Sequence, residues 1–168
     1  GQLKEGIESD ELLTTMDFLP TFSSLSGAEI PKNLTIDGKN FSDVILKGSK
    51  SEHKYFYYYA YSHLQAVRDN EWKLVLPRPA RPEYMGWWAR KIDAVGEVKL
   101  FNMVNDKEEK YNLAAQYPDK VSELMSSIEQ TRLELGDKDI IGSGARFFDD
   151  TSKTERISKY EKWSKTIK

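Results

Sequence analysis

The sequence predicts an α+β fold in which an antiparallel sheet of about four strands is covered by one amphipathic helix, and three observations carry that expectation. The first is Tyr55-Phe56-Tyr57-Tyr58-Tyr59-Ala60-Tyr61, a run whose aromatic density suits a pleated strand far better than a helix. The second is a hairpin pattern: His63 to Arg68 and Trp72 to Leu76 flank Asp69-Asn70, and Trp72, Leu74 and Leu76 alternate with polar positions. The third is a stripe of Val121, Leu124, Met125, Ile128 and Leu135, placed behind Pro118 and ahead of Gly136.

Taken in chain order, Pro20 fixes an earlier helix, because proline fits only an opening turn; the helix therefore begins near Met16. Phe18, Phe22 and Leu25 follow at helical spacing, Gly27 is placed to end the helix, and Leu12 and Leu13 sit on an extended lead-in. Residues 31–53 are rich in turn formers, and only Phe41 to Leu46 offers a helical turn. In the aromatic strand packing is the default role, with one or two tyrosines open as platforms for sugar rings. At the hairpin, Asp69-Asn70 tolerates a left-handed backbone, and Val98 to Val104 supplies a further strand ending at Asn105-Asp106.

An insertion from Pro77 to Arg90, rich in proline, arginine and tryptophan, separates those strands. It reads either as an ordered binding loop or as a tryptophan-anchored flap over a sheet edge. After the long helix, residues 151–168 carry Ser152 and Glu155 at capping-box spacing and Ile157, Tyr160, Trp163 and Ile167 on one face, the pattern of a basic amphipathic tail helix. The organisation expected is thus residues 1–50, residues 51–150 and the tail 151–168.

Composition excludes several functions. The 168 residues hold no cysteine, so there is no disulfide framework, thiolate nucleophile or cysteine-based metal site. With 25 Lys+Arg against 27 Asp+Glu the net charge of −2 provides no basic field for nucleic acid or an acidic membrane surface, and no apolar run approaches bilayer length. His53 and His63 each lack a second ligand at metal spacing, Asp137-Lys138-Asp139 and Asp149-Asp150 read as solvated turns, and Gly142-Ser143-Gly144 is no dinucleotide fingerprint. A small independent hydrolase built on His63 and a carboxylate has no supporting motif.

Several segments, in order, resemble the carboxy-terminal part of the sulfatases, sulfuric ester hydrolases of the alkaline phosphatase-like superfamily. Gly1 to Gly6 resembles the end of a Trp-Pro-Gly-x-(Ile/Leu)-x-x-Gly stretch, and Met16-Asp17-Phe18-Leu19-Pro20-Thr21-Phe22 an Asp-Leu-x-Pro-Thr-Leu helix start. Ile36-Asp37-Gly38-Lys39-Asn40-Phe41-Ser42 resembles Asp-Gly-x-(Asp/Ser)-Leu-Ser-Pro-Leu-Leu, with Asp43 where proline is usual. Gln65 to Leu74 resembles Ala-(Val/Leu)-Arg-x-Gly-x-Trp-Lys-Leu, with Asn70 at the glycine. Leu100 to Ala114 resembles Leu-(Tyr/Phe)-(Asp/Asn)-Leu-x-x-Asp-Pro-x-Glu-x-x-Asn-Leu-Ala, with Lys107 at the proline.

The resemblance implies the end of a large α/β domain followed by a smaller subdomain, and an enzyme that hydrolyses sulfate esters, with sulfated carbohydrates as the expected substrates. It implies a formylglycine nucleophile and a calcium ion in the full-length enzyme; neither a Cys nor a Ser-x-Pro-x-Arg precursor occurs in this sequence. No catalytic residue, metal ligand or cofactor is therefore expected in the chain itself, which alone should not turn over sulfate esters. The expected partners are the rest of the large domain and a sulfated small molecule or glycan, with no nucleic acid and no membrane. Strand-end loops should meet the substrate, which makes Arg78 and Arg81, as planar forks for sulfate or carboxylate, and Trp87 and Trp88, as ring faces, the candidate contacts, with His63 beside them. If the helix around Phe18 packs on that large domain, its apolar face should be uncovered here. The alternative reading is an independent carbohydrate- or protein-binding module.

Overall fold

The computed structural model describes residue 3 and residues 5–81, 86–87, 90, 93–138 and 140–145. Helix α1 (Phe18–Ser26) grows out of a short 3-10 turn, Thr15–Asp17, and stops at Gly27 in the left-handed conformation. Pro20 lies in its first turn, where the missing N–H removes no helical bond. Helix α2 (Ser42–Lys47) is the single short helix of the turn-rich connector. Strands β1 (Phe56–Ala60), β2 (His63–Arg68), β3 (Trp72–Val75) and β4 (Lys99–Asn102) form an antiparallel sheet in sequence order. Helix α3 (Pro118–Leu135) begins with proline at its start and runs into a small hairpin of β5 (Gly136–Asp137) and β6 (Ile140–Ile141). The tail 151–168, read from the sequence as a helix, lies outside the described residues.

Alternation along the strands gives the sheet two apolar faces. Leu64, Val67, Leu74 and Leu100 pack against Leu124 and Ile128 of α3, which makes the main core. Ala66, Val75, Phe101 and Val95 form a smaller cluster with Tyr58 and Met103. Leu64 and Ala66, two positions apart, belong to different clusters because β2 carries a bulge: Tyr58 and Tyr59 are consecutive, yet they pair with Ala66 and Leu64, which leaves Gln65 as the extra residue. Tyr55, Tyr57 and Tyr59 pack against the main core, so most of the aromatic run serves packing.

Three expectations about these elements are corrected. The β2–β3 connection contains Asp69, Asn70 and Glu71 and none of them has a positive φ; the side chain of Asp69 makes the turn, its Oδ1 accepting from Glu71 N at 2.8 Å and Trp72 N at 2.7 Å. Leu135 is 48% exposed and does not share the α3 stripe, whose last buried position is Thr131. Asp137 is a buried residue rather than a solvated turn residue. Gly142-Ser143-Gly144 also has a local role: Ser143 N and Gly144 N donate to Leu133 O and Glu134 O at 2.9 and 2.7 Å and so close the carbonyl end of α3.

Candidate functional site

The two ends of the sheet differ in how their polar groups are used. At the hairpin end, where β2 turns into β3, almost every side chain is committed. Lys120 at the start of α3 reaches Asp69 Oδ2 at 2.8 Å, and the indole of Trp72 and the ring of Tyr117 lie 4.8 Å apart. Asn70 Oδ1 accepts from Leu12 N at 3.1 Å and its amide donates to Glu11 Oε2 at 3.2 Å, which pins the lead-in onto the turn. Glu11 in turn accepts from Ser51 N and Lys50, each at 2.9 Å, and these donors, led by the Ser51 N–H, hold its carboxyl below the usual range.

Beside this end lies a buried pair that the sequence reading missed. His53 has no carboxylate near it in sequence, yet its Nε2 is 2.7 Å from Asp17 Oδ1, and Asp17 is fully buried. Thr14 N donates to Asp17 Oδ2 and Lys39 N to Oδ1, both at 2.7 Å. Burial pushes the Asp17 carboxyl up, but the Lys39 N–H, His53 and the Thr14 N–H together outweigh it and hold the group below the ordinary aspartate range. Since an ionised carboxylate only accepts, His53 Nε2 carries the proton. Gly38 makes this geometry possible, because a β-carbon there would collide with the carbonyl of Met16. The pair ties the 3-10 turn to the end of the connector, and His53 also lines a cleft beside Asp69, Trp72 and Tyr117.

The opposite end is built from the β1–β2 turn, the exit of β3 and the C-terminal turn of α3. A cleft of about 290 Å³ opens there, and His63, Arg78, Arg132, Asp137 and Lys138 contribute to its wall. Arg78 is held by a two-way backbone bridge with Val95, 2.9 Å in each direction, and is half-buried. Arg132 Nε lies 2.8 Å from Asp137 Oδ2 and its guanidinium also meets Glu129 at 2.6 Å; Asp137 Oδ1 accepts from Leu64 N at 3.0 Å. The one carboxylate among the described lining residues is therefore neutralised. Among the described residues the side chains of Arg78 and Lys138 have no hydrogen-bond or ion-pair partner. An anion entering this cleft meets cations without displacing a salt bridge.

Of the contacts expected from sequence, the structure brings His63 and Arg78 together in this cleft. Arg81 is exposed, with a left-handed backbone (φ 48°), and Trp87 is exposed at 66%. Trp88 lies outside the described residues. Among the described residues no three metal-ligating side chains converge, so they offer no donor set for the calcium that the resemblance implies. No described helix is long and apolar enough to cross a membrane.

No protein-family model matches the sequence. An arylsulfatase of Hemicentrotus pulcherrimus is 41% identical over 73 residues, which is 44% of this chain and 13% of that protein. An N-acetylglucosamine-6-O-sulfatase of Bacteroides thetaiotaomicron is 25% identical over 150 residues, 82% of this chain and 24% of that protein. Among solved structures, Ps i-CgsB in complex with k-i-k-neocarrahexaose superposes with a TM-score of 0.54 at 20% identity, covering 94% of this chain and 31% of that one, a likeness of fold. The four-stranded antiparallel sheet with α3 packed across it is thus an α+β unit of the carboxy-terminal subdomain class. With the relatives' identity added, the chain is similar to the carboxy-terminal region of the sulfatases. It spans only 13% and 24% of the lengths of these two curated relatives.

Proposed function

We propose that the chain is the carboxy-terminal part of an enzyme that hydrolyses sulfate esters on carbohydrates, and that it walls the saccharide side of the cleft while the nucleophile is supplied by other polypeptide. The observation that carries this reading is the juxtaposition of His63 with Arg78, whose side chain has no partner among the described residues, at the sheet end from which the Arg/Trp loop leaves. The names of the relatives, an arylsulfatase and an N-acetylglucosamine-6-O-sulfatase, support the substrate class. Arg78 offers a planar fork that matches a sulfate or carboxylate oxygen pair, and the absence of cysteine leaves no thiol in the chain to be converted to an electrophile.

The uncovered face of α1 favours this reading over a self-contained binding module. Met16, Phe18, Leu19, Phe22 and Leu25 are 46% to 59% exposed, and the rings of Phe18 and Phe22 stack at 5.4 Å. Such a patch is what a helix presents when it packs on further protein. The reading predicts that the isolated chain shows no turnover of para-nitrophenyl sulfate above a boiled control, and turnover would overturn it. In a longer sulfatase polypeptide carrying this segment, Arg78→Ala should raise KM for a sulfated saccharide about tenfold, roughly 1.4 kcal/mol of lost charge-assisted bonding, with kcat little changed.

A further inference from the structure

We infer that Tyr61 and Lys138 extend the His63–Arg78 cleft into a binding site for one ring and one anionic substituent of an acidic saccharide. The inference rests on the carbohydrate reading above and goes beyond it by naming two residues and the charge of the ligand.

Two clefts adjoin at this end. The first, about 290 Å³, holds His63, Arg78 and Lys138; the second, about 270 Å³, holds Tyr61 and Ser62, and both touch Asp137. Lys138 N donates to Ser62 O at 2.9 Å, so the two walls are tied together by backbone. Their combined size suits a single sugar ring with a substituent rather than a flat protein partner.

The hairpin turns carry the same residues. Tyr61 has φ 56° and Lys138 φ 54°, a conformation that costs an L-residue about 1 to 2 kcal/mol and glycine almost nothing. Both residues open a two-residue hairpin connection, after Ala60 and after Asp137, where a left-handed residue is the ordinary turn geometry, and there the chain places an aromatic ring and an ammonium instead of the usual Gly, Asn or Asp. Tyr61 is 71% exposed and has no ring or hydrogen-bond partner among the described residues, in contrast to Tyr55, Tyr57 and Tyr59, which pack on the main core. A sugar ring has an apolar face that can lie on such a phenol. The charge balance selects the substituent: with Asp137 taken by Arg132, the uncommitted charged groups among the described lining residues, Arg78 and Lys138, are cationic.

The test is to follow the amide chemical shifts of the 168-residue chain while titrating sodium sulfate, glucose, glucuronate and glucose monosulfate in turn. Glucuronate or glucose monosulfate should move the amides of residues 61–63, 78 and 138 in a saturable way, and whichever binds more tightly names the substituent. Glucose should leave them unmoved, and sodium sulfate should bind at least about threefold more weakly than the better acidic sugar. Lys138→Ala should weaken the acidic sugar about tenfold. Tyr61→Ala should remove its advantage over sodium sulfate, and Tyr61→Phe should restore it. Thermal melts of each variant confirm that the fold is retained. Equal shifts with glucose, shifts spread over remote lysines, or indifference to both substitutions would overturn the inference. If it fails while Arg78→Ala still raises KM in a longer sulfatase, the function proposed above stands; if Arg78→Ala is also silent, both fail.

Discussion

The hairpin end and the opposite end of the same sheet use similar residues to opposite effect. At the hairpin end Asp69 is spent on two backbone N–H groups and Lys120, and Asn70 and Glu11 bind one another and the lead-in. At the opposite end the side chains of Arg78 and Lys138 have no partner among the described residues, and Tyr61 and Lys138 hold left-handed backbone. Polar groups that satisfy one another make a rigid joint, whereas cationic side chains left without a protein partner are open to an anionic ligand. The lesson is that the presence of Arg, Lys, Asp or Tyr says little about function until their commitments are known.

A large effect is expected beside the joint. Asp17→Asn should lower stability by about 3 kcal/mol at neutral pH, because it removes a buried charge that accepts from two backbone N–H groups and His53. Because the folded Asp17 carboxyl titrates below its unfolded value, its stabilisation is complete above the ordinary carboxylate range, near pH 4, and is lost as pH falls through the folded pKa. Urea midpoints measured from pH 6 down to pH 2 should therefore fall more steeply for the native chain than for the Asn variant. Parallel curves would remove Asp17 from the account.

A smaller contrast separates the two ends directly. Asp69→Ala removes both turn N–H acceptors and leaves Lys120 with Glu123 alone, which should cost about 1 to 2 kcal/mol. Arg78→Ala should change stability by less than about 0.5 kcal/mol, since no partner among the described residues is lost. Chemical denaturation of the two variants checks the pair. If Arg78→Ala cost as much as Asp69→Ala, the guanidinium would be part of the scaffold and the two ends would not differ.

Local patterns made the scaffold legible in sequence. Pro20 and Pro118 marked helix starts, aromatic density marked β1, and the α3 stripe through Ile128 marked the core face, because each is a short-range consequence of side-chain shape. The sulfatase resemblance also rested on local stretches, such as Gly38 at its crowded turn, and the similarity to known sulfatases bears it out. The pairings were not legible. Asp17 and His53 are 36 residues apart, and Asp137 stood in an ordinary Asp-Lys-Asp turn until the fold placed Arg132 and Leu64 N on it. The bulge at Gln65 shifted a strand whose alternation looked regular. Of the candidate contacts, His63 and Arg78 could be named from their strand-end positions, but nothing in the letters Tyr61 or Lys138 announces a positive φ.

That last property gives the finest test of the comparison. At a relaxed position, replacing a residue by glycine destabilises, because the unfolded chain gains entropy worth about 0.5 to 1 kcal/mol and packing is lost as well. Tyr59 is such a position: its ring packs on the main core and its hydroxyl donates to Gly136 O at 2.8 Å, so Tyr59→Gly should cost several kcal/mol, about 3 or more. Tyr61 should behave in the opposite sense. Its exposed ring has no described partner to lose, and relief of the left-handed strain, about 1 to 2 kcal/mol, exceeds the entropy penalty. Tyr61→Gly should therefore gain about 0.5 kcal/mol in urea midpoint experiments while it weakens the acidic sugar. A loss of stability would show that the ring is packing in disguise, and the open end would then be no more than a second, poorly satisfied copy of the closed one.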